Sequence, residues 1–254
     1  MKKRNFLIFI LIILISLTSI FIFFLLSQNT KEEENNQNKD LTPLTENKNF
    51  NQQPLIIDHC KNKDDEKCNY SNNTLRYIHL NQSYQELDTI IDTINKTIKE
   101  KYEQSINSTS ELEADECKEA KDIYKYRNLY SMTETLYQSK DLIGIFYDIS
   151  GIDVCTKKAL PATFNSYVYD ITKNTILTNQ EILELYHQTP ETVNKTIQNT
   201  IKDWNKTLAT DYNENDFDKE YKLYIASNGD LDVVYLNTKN NITYSAQVKK
   251  LTNN

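Results

Sequence analysis

Four cysteines, Cys60, Cys68, Cys117 and Cys155, carry the most readable chemistry of this chain. An even number of cysteines is typical of proteins outside the reducing cytoplasm, where thiols oxidise in pairs. Of the three connectivities, we expect Cys60–Cys68 and Cys117–Cys155, because the first pair closes a short polar loop. A metal site using His59 beside Cys60 is the alternative. The paired ligand spacings of structural zinc are missing from the sequence, so we expect no metal.

Groups suited to catalysis are scarce. The three histidines are His59, His79 and His187, and the last two are predicted to be structural, on a strand face and at a helix end. The sequence contains neither a Gly-x-Ser-x-Gly nor a His-Glu-x-x-His motif. Acidic residues are abundant, so a carboxylate pair of the glycosidase kind stays open as an alternative. We expect no catalysis and no cofactor.

The charge balance bears on partners. The chain has a formal net charge of −7, and without Lys2, Lys3 and Arg4 there remain 26 basic against 36 acidic residues, or −10. Such a surface disfavours nucleic acid and anionic lipid. The acidic residues 111–119 lack the spacing and central glycine of a calcium loop, and we expect a solvated helix or loop held by Cys117.

An unbroken apolar stretch fills residues 6–26 and follows three basic residues. As a helix it would measure about 32 Å, close to the roughly 30 Å of a bilayer core. Basic residues beside a span stay in the cytoplasm, so we expect a single-pass protein of the cell membrane with residues 1–5 inside. A cleaved signal peptide is the alternative, although its apolar region is usually shorter. So short an inner tip leaves the helix only an anchoring role.

The outer part divides by composition. Residues 27–53 are polar and charged, which predicts a flexible stalk. Residues 54–254 are rich in Tyr, Ile and Leu and are predicted to form an extracytoplasmic α+β domain, with antiparallel sheets and helices packed on one side.

Helices are predicted from their start signals. Ser83 with Glu86, and Thr178 with Glu181, have the spacing of a capping box. Thr189 followed by Pro190 predicts a third helix start. The first of these helices should bury an apolar stripe made of Leu87, Ile90, Ile91, Ile94, Ile98 and Tyr102.

Strands are predicted where aromatic and β-branched residues are dense. Residues 123–137 and 142–149 should form an antiparallel pair, followed by a strand at 163–171. Residues 221–225, 231–236 and 242–248 should form a three-stranded meander.

The order of these elements resembles the extracellular domain of RsiV-type anti-sigma-V factors, a unit of otherwise unknown function also found beside peptidoglycan deacetylase domains. In that family a tyrosine-rich strand ends in Asp and leads through a Lys-Asn or Lys-Gly turn to a hydrophobic Leu-Thr helix start. The matching residues here are Tyr167, Tyr169, Asp170, Lys173, Asn174, Leu177, Thr178 and Ile182, with Ile94 and Asn95 in the first helix. The resemblance covers roughly residues 70–250.

The departures limit what the resemblance implies. Many relatives have a Gly-Gly-Ala-His-Gly loop, whereas residues 148–161 here read DISGIDVCTKKALP, and the inner sigma-binding segment is not found. Neither sigma control nor deacetylation is therefore expected. In the related receptors the ligand is lysozyme, a basic protein that an ectodomain at −10 would not repel.

We expect a membrane-anchored extracytoplasmic binding module for a cell-wall component or a protein. A subunit or scaffold of a cell-envelope assembly is the alternative, and the oligomeric state stays open. The insertion at residues 148–161 is where we expect a ligand site, and the alternative is an irregular loop that is only fixed by a disulfide. The candidate ligand-binding residues are Tyr147, Asp148, Gly151, Asp153, Lys157 and Lys158, braced by Cys155.

Overall fold

A computed structural model of the chain describes residues 39–44, 49–56, 58–62, 68, 74–207 and 211–251. The predicted inner tip and the predicted span at residues 6–26 lie outside these ranges. Among the helices of the described ranges, none combines the length and the hydropathy that crossing a bilayer requires. A compact unit begins at Asp40.

The described part of the chain is α+β, as predicted, and its strands pair antiparallel in three sheets: β1-β2, β3-β4-β5-β6 and β7-β8-β9. In chain order the elements are β1 (Phe50–Ile56), β2 (Thr74–Leu80), α1 (Gln85–Asn107), β3 (Asn128–Gln138), β4 (Leu142–Asp153), β5 (Lys158–Asp170), β6 (Thr175–Ile176), α2 (Asn179–Leu185), α3 (Pro190–Thr207), β7 (Phe217–Ile225), β8 (Leu231–Asn237) and β9 (Ile242–Lys249). Short 3-10 helices span Ser108–Glu113, Asp115–Cys117 and Glu214–Asp216.

The β3–β6 sheet is buried on both faces. Alternate side chains of β4, including Ile143 and Ile145, pack against α1 and β2. On the opposite face, Phe146 stacks on Tyr224 of β7 with 4.3 Å between ring centroids. Helices α2 and α3 pack in a second cluster with β7, β8 and β9. This two-sided burial explains why six successive residues of β4, from Leu142 to Tyr147, are all buried rather than every second one.

The predicted stripe of α1 is confirmed, since Leu87, Ile91, Ile94 and Ile98 are buried. The capping box predicted for α1 at Ser83 and Glu86 is wrong. The N-cap residue is Tyr84, which makes no side-chain cap, and the Ser83 hydroxyl donates to Asp88 instead. The helix is fixed by tertiary contacts, because its Asn95 amide bonds both the N–H and the C=O of Ile78 on β2, at 2.9 and 2.8 Å.

The other two helix starts are confirmed. Thr178 and Glu181 form a reciprocal capping box on α2. Thr189 accepts from the amide of Thr192 at 3.4 Å, and Pro190 is the first residue of α3.

The predicted irregular insertion at residues 148–161 is wrong. Strand β4 runs on to Asp153 and β5 begins at Lys158, so a four-residue turn joins two long strands. The turn closes with a 2.8 Å hydrogen bond from Lys157 N to the Asp153 carbonyl, and Lys157 has φ 59°. The end of β4 was predicted too early because glycine and aspartate are typical of loops. In the structure Gly151 and Asp153 pair with Tyr130 and Asn128 of β3.

The predicted stalk also overlaps the folded unit. Strand β1 begins at Phe50, ahead of the predicted domain start at residue 54. Further upstream, Leu41 packs on the second core cluster, and Leu44 N donates to the Gln138 carbonyl at 2.8 Å. Composition could not predict these few contacts, because it averages over a segment that is mainly polar.

Candidate functional site

Two disulfides lie at one end of the β3–β6 sheet, Cys60–Cys68 and Cys117–Cys155. This is the connectivity expected from the sequence. The second disulfide joins the acidic 3-10 segment, Asp115–Cys117, to the turn between β4 and β5, and its two Cα atoms are 4.5 Å apart. Cys68, Cys117 and Cys155 belong to one small core that also contains Leu112, Leu129 and Val154. Cys60 forms an isolated β-bridge with Tyr124, which lies in the same core.

An ion-pair network runs parallel to the Cys117–Cys155 bond. Arg127 donates to Asp153 of β4 at 2.8 Å and to Glu116 of the 3-10 segment at 2.5 Å. Asp153 also accepts from the backbone amides of Cys155 and Thr156, at 2.9 and 3.2 Å. Burial alone would raise the pKa of Asp153, but Arg127 and these amides together lower it. The carboxylate is therefore held ionised at the base of the turn.

A cleft of about 650 Å³ opens between the two segments that these bonds connect. Its floor is apolar, formed by Ala120, Ile123, Tyr124, Ile152 and Val154. Its rim carries charges of both signs, from Glu116, Lys118, Glu119 and Lys157, with Cys155 at the edge. An apolar floor with charged groups of both signs suits a ligand that is itself amphipathic, such as a peptide segment.

Residues 120–124, which form one wall of the cleft, are held in place by backbone hydrogen bonds to residues 59–61. Lys61 N donates to the Ile123 carbonyl, and Lys125 N donates to the His59 carbonyl, at 2.9 and 2.8 Å. His59 is 1% exposed, and neither ring nitrogen has a hydrogen-bond partner among the described residues. Burial lowers the pKa of His59 to about 4, against a smaller opposing effect of Asp58. The histidine packs edge-on to Tyr126 and acts as a core residue.

The six predicted ligand-binding residues do not meet in one place. Of them, only Lys157 lines the cleft, together with the bracing Cys155. Asp153 lies behind it as the partner of Arg127, and Lys158 is exposed at the start of β5.

The remaining three belong to the sheet. Tyr147 is buried against α1, and burial raises its pKa to about 12. Asp148 faces β9 and accepts from the Thr243 hydroxyl. Gly151 makes room for Tyr130, because a Cβ there would lie 2.6 Å from Cδ1 of that ring. Whether any of these binds a ligand stays a prediction, but their neighbours here are other parts of the fold.

Sequence reasoning missed the floor of the cleft and Arg127. The only signal for the floor was the local density of Ile123, Tyr124 and Ile152 close to two cysteines in sequence. Arg127 gave no signal, because its partners lie 11 and 26 residues away.

The residues that carry the family resemblance build a corner of the fold. Tyr169 is fully buried and its hydroxyl donates to Asn174, which has φ 54°. Asp170 accepts from the amides of Thr172 and Lys173, at 2.9 and 3.0 Å, and so shapes the turn from β5 to β6. Asparagine is one of the few residues that tolerate this left-handed conformation. In this chain these residues therefore have structural roles.

Comparison with protein-family models gives no match, and comparison with curated proteins gives none either.

Proposed function

We propose that this chain is a membrane-anchored, extracytoplasmic binding module that recognises a cell-wall component or a protein in the cleft between Glu119 and Lys157. The construction of the cleft carries the proposal. A disulfide and the Asp153–Arg127–Glu116 ion pairs hold its two walls at a fixed spacing. Fixed walls favour binding because few side chains have to be ordered when the ligand arrives.

Location and family relationship form part of the same proposal. Two disulfides support a place outside the cytoplasm, where such bonds persist. The apolar stretch at residues 6–26 supports a single-pass anchor with the N terminus inside. The motif from Tyr167 to Ile182 supports a relationship to the extracellular domain of RsiV-type proteins.

The rim charges make the proposal testable by sign. We suggest placing the full chain in lipid nanodiscs and measuring binding by biolayer interferometry with two probes, lysozyme as a basic protein and solubilised peptidoglycan fragments as an anionic wall polymer. Glu119→Lys should lower the affinity for a basic ligand, whereas Lys157→Glu should lower the affinity for an anionic ligand. Each loss should be about tenfold, because one charge contact is removed.

Matched controls lie outside the cleft. Lys140→Glu makes the same charge change at an exposed position of the turn between β3 and β4, and Glu113→Lys does so on the acidic segment, and neither residue lines the cleft. Both controls should keep wild-type affinity. Absence of binding by both probes, or equal losses in cleft and control variants, would contradict the proposal.

A further inference from the structure

A second groove lies far from the disulfides in the chain, between α3 and β7. Its volume is about 370 Å³. The lining consists of Asn194, Ile197, Gln198 and Ile201 from α3 and Phe217, Asp218 and Tyr221 from β7. None of these residues lines the first cleft, so the two sites can be tested separately.

An irregularity of β7 helps to form this groove. Phe217 pairs with Asn237 and Tyr221 with Tyr235, so three residues of β7 lie opposite the single Leu236 of β8. Asp218 sits inside this bulge and is exposed, with one carboxylate oxygen accepting from Glu220 N at 3.1 Å. A bulge turns side chains away from the regular strand direction, and bulges are frequent beside binding sites.

The polar side chains of the groove have hydrogen-bonding capacity to spare. Asn194 and Gln198 are four residues apart, so they share one face of α3, and both are exposed. Within the described residues neither amide makes a hydrogen bond inside the protein. Each amide offers an acceptor oxygen and two donor hydrogens.

The floor of the groove is apolar and partly aromatic. Ile201 and Phe217 are buried, while Ile197 and Tyr221 are half-buried. Burial raises the pKa of Tyr221, so its phenol stays protonated and can donate. Among these lining residues Asp218 carries the single formal charge, so an ionic ligand would find little to pair with.

We propose that the groove between α3 and β7 binds a neutral saccharide. Side-chain amides can donate to and accept from the neighbouring hydroxyl groups of a sugar ring, and a carboxylate can accept from them. A purely apolar site would leave these hydroxyl groups without partners. The C–H face of the sugar packs on the aromatic and aliphatic floor. This site is separate from the charged cleft and does not depend on the function proposed for it.

The test uses the full chain in lipid nanodiscs, because detergents with sugar headgroups would compete. Chitotriose and cellotriose serve as neutral probes, with and without acetamido groups, and saturation-transfer NMR and titration calorimetry measure their binding. Asn194→Ala and Gln198→Ala should each weaken binding about tenfold, the effect of one lost hydrogen bond. Tyr221→Leu should weaken it similarly by removing the ring.

Asn199→Ala is the matched control, since Asn199 is exposed on the same helix and does not line the groove. It should bind as the wild type does. Failure of both sugars to bind, or equal losses in Asn194→Ala and Asn199→Ala, overturns the proposal. Cleft variants such as Lys157→Glu should leave sugar binding unchanged, which keeps this result separate from the first proposal.

Discussion

Arg127 donates from both Nε and Nη2 to a single oxygen of Asp153, Oδ2, at 3.1 and 2.8 Å. The other oxygen, Oδ1, accepts the amides of the β4–β5 turn. One carboxylate therefore connects the start of β3 to the turn that bears Cys155. Since Arg127 also reaches Glu116 on the rim, the geometry of the cleft depends on this pair.

Arg127→Gln should lower the free energy of unfolding by about 2 kcal/mol, because Asp153 would lose a charged hydrogen-bond partner in a largely buried setting. The two side chains are only 18% and 13% exposed. Urea unfolding followed by circular dichroism measures the change. Lys99→Gln is the control, since Lys99 pairs with Glu103 at 3.8 Å with both side chains more than half exposed, and it should change stability by less than about 0.5 kcal/mol.

Replacing both cysteines of one disulfide by alanine should cost more for Cys117–Cys155 than for Cys60–Cys68. The loops they close span 38 and 8 residues. Loop-closure entropy then predicts losses of about 4 and about 2.5 kcal/mol. Unfolding of the two double variants side by side gives the difference, and an equal or reversed ranking would show that native packing, not loop length, sets these contributions.

His59 should make the fold sensitive to acid. Burial, the main cause, places its pKa at about 4 in the folded chain, against about 6.5 when unfolded. Because the pKa is lower in the folded chain, the unfolded chain binds the proton at a higher pH than the folded chain does. The free energy of unfolding is therefore unaffected above pH 6.5 and decreases as the pH falls toward 4. The loss should reach about 3 kcal/mol.

Unfolding free energies of the wild type and of His59→Phe, measured between pH 7 and pH 4, test the role of His59. The variant should lose this part of the acid sensitivity. His79→Phe, at an exposed position, should retain it. The same slope in all three proteins would rule out His59 as the cause.

Asp148→Asn should stabilise the protein at pH 7 by about 1 kcal/mol, because it removes a charge from between two sheets and keeps an oxygen for the Thr243 hydroxyl. Burial raises the pKa of Asp148, and the bond from Thr243 opposes this only in part. A raised carboxyl pKa means that the folded chain binds the proton more tightly, so its stability falls as the pH rises through that pKa. The gain of the variant should accordingly shrink at pH 4, as measured by unfolding at both pH values.

Much of the fold was predictable because its signals are local. The stripe of α1 and the caps at Thr178 and Thr189 depend on residues within one or two helical turns. The first cap, at Ser83, was predicted by the same rule and is absent, because Tyr84 is the N-cap residue and the Ser83 hydroxyl donates to Asp88.

The candidate site was predictable only in part. Lys157 and Cys155 line the cleft, whereas Tyr147, Asp148 and Gly151 are occupied by contacts within the fold. A strand displays successive residues on opposite faces, so Tyr147 and Asp148 face different sides of the sheet. That argument needs the strand boundaries, and these were misplaced by the polar residues of β4.

The sequence by itself determined the class of fold and the order of most elements, and it favoured the observed pairing of the cysteines without fixing it, because periodicity, caps and short loops act over a few residues. The tertiary structure alone decided that Arg127 joins Asp153 to Glu116 and that Ile123 meets Ile152 beneath the charged rim. It also brought α3 alongside the bulge of β7. These contacts join residues far apart in the chain, and they follow from how apolar surfaces pack, which no local pattern records.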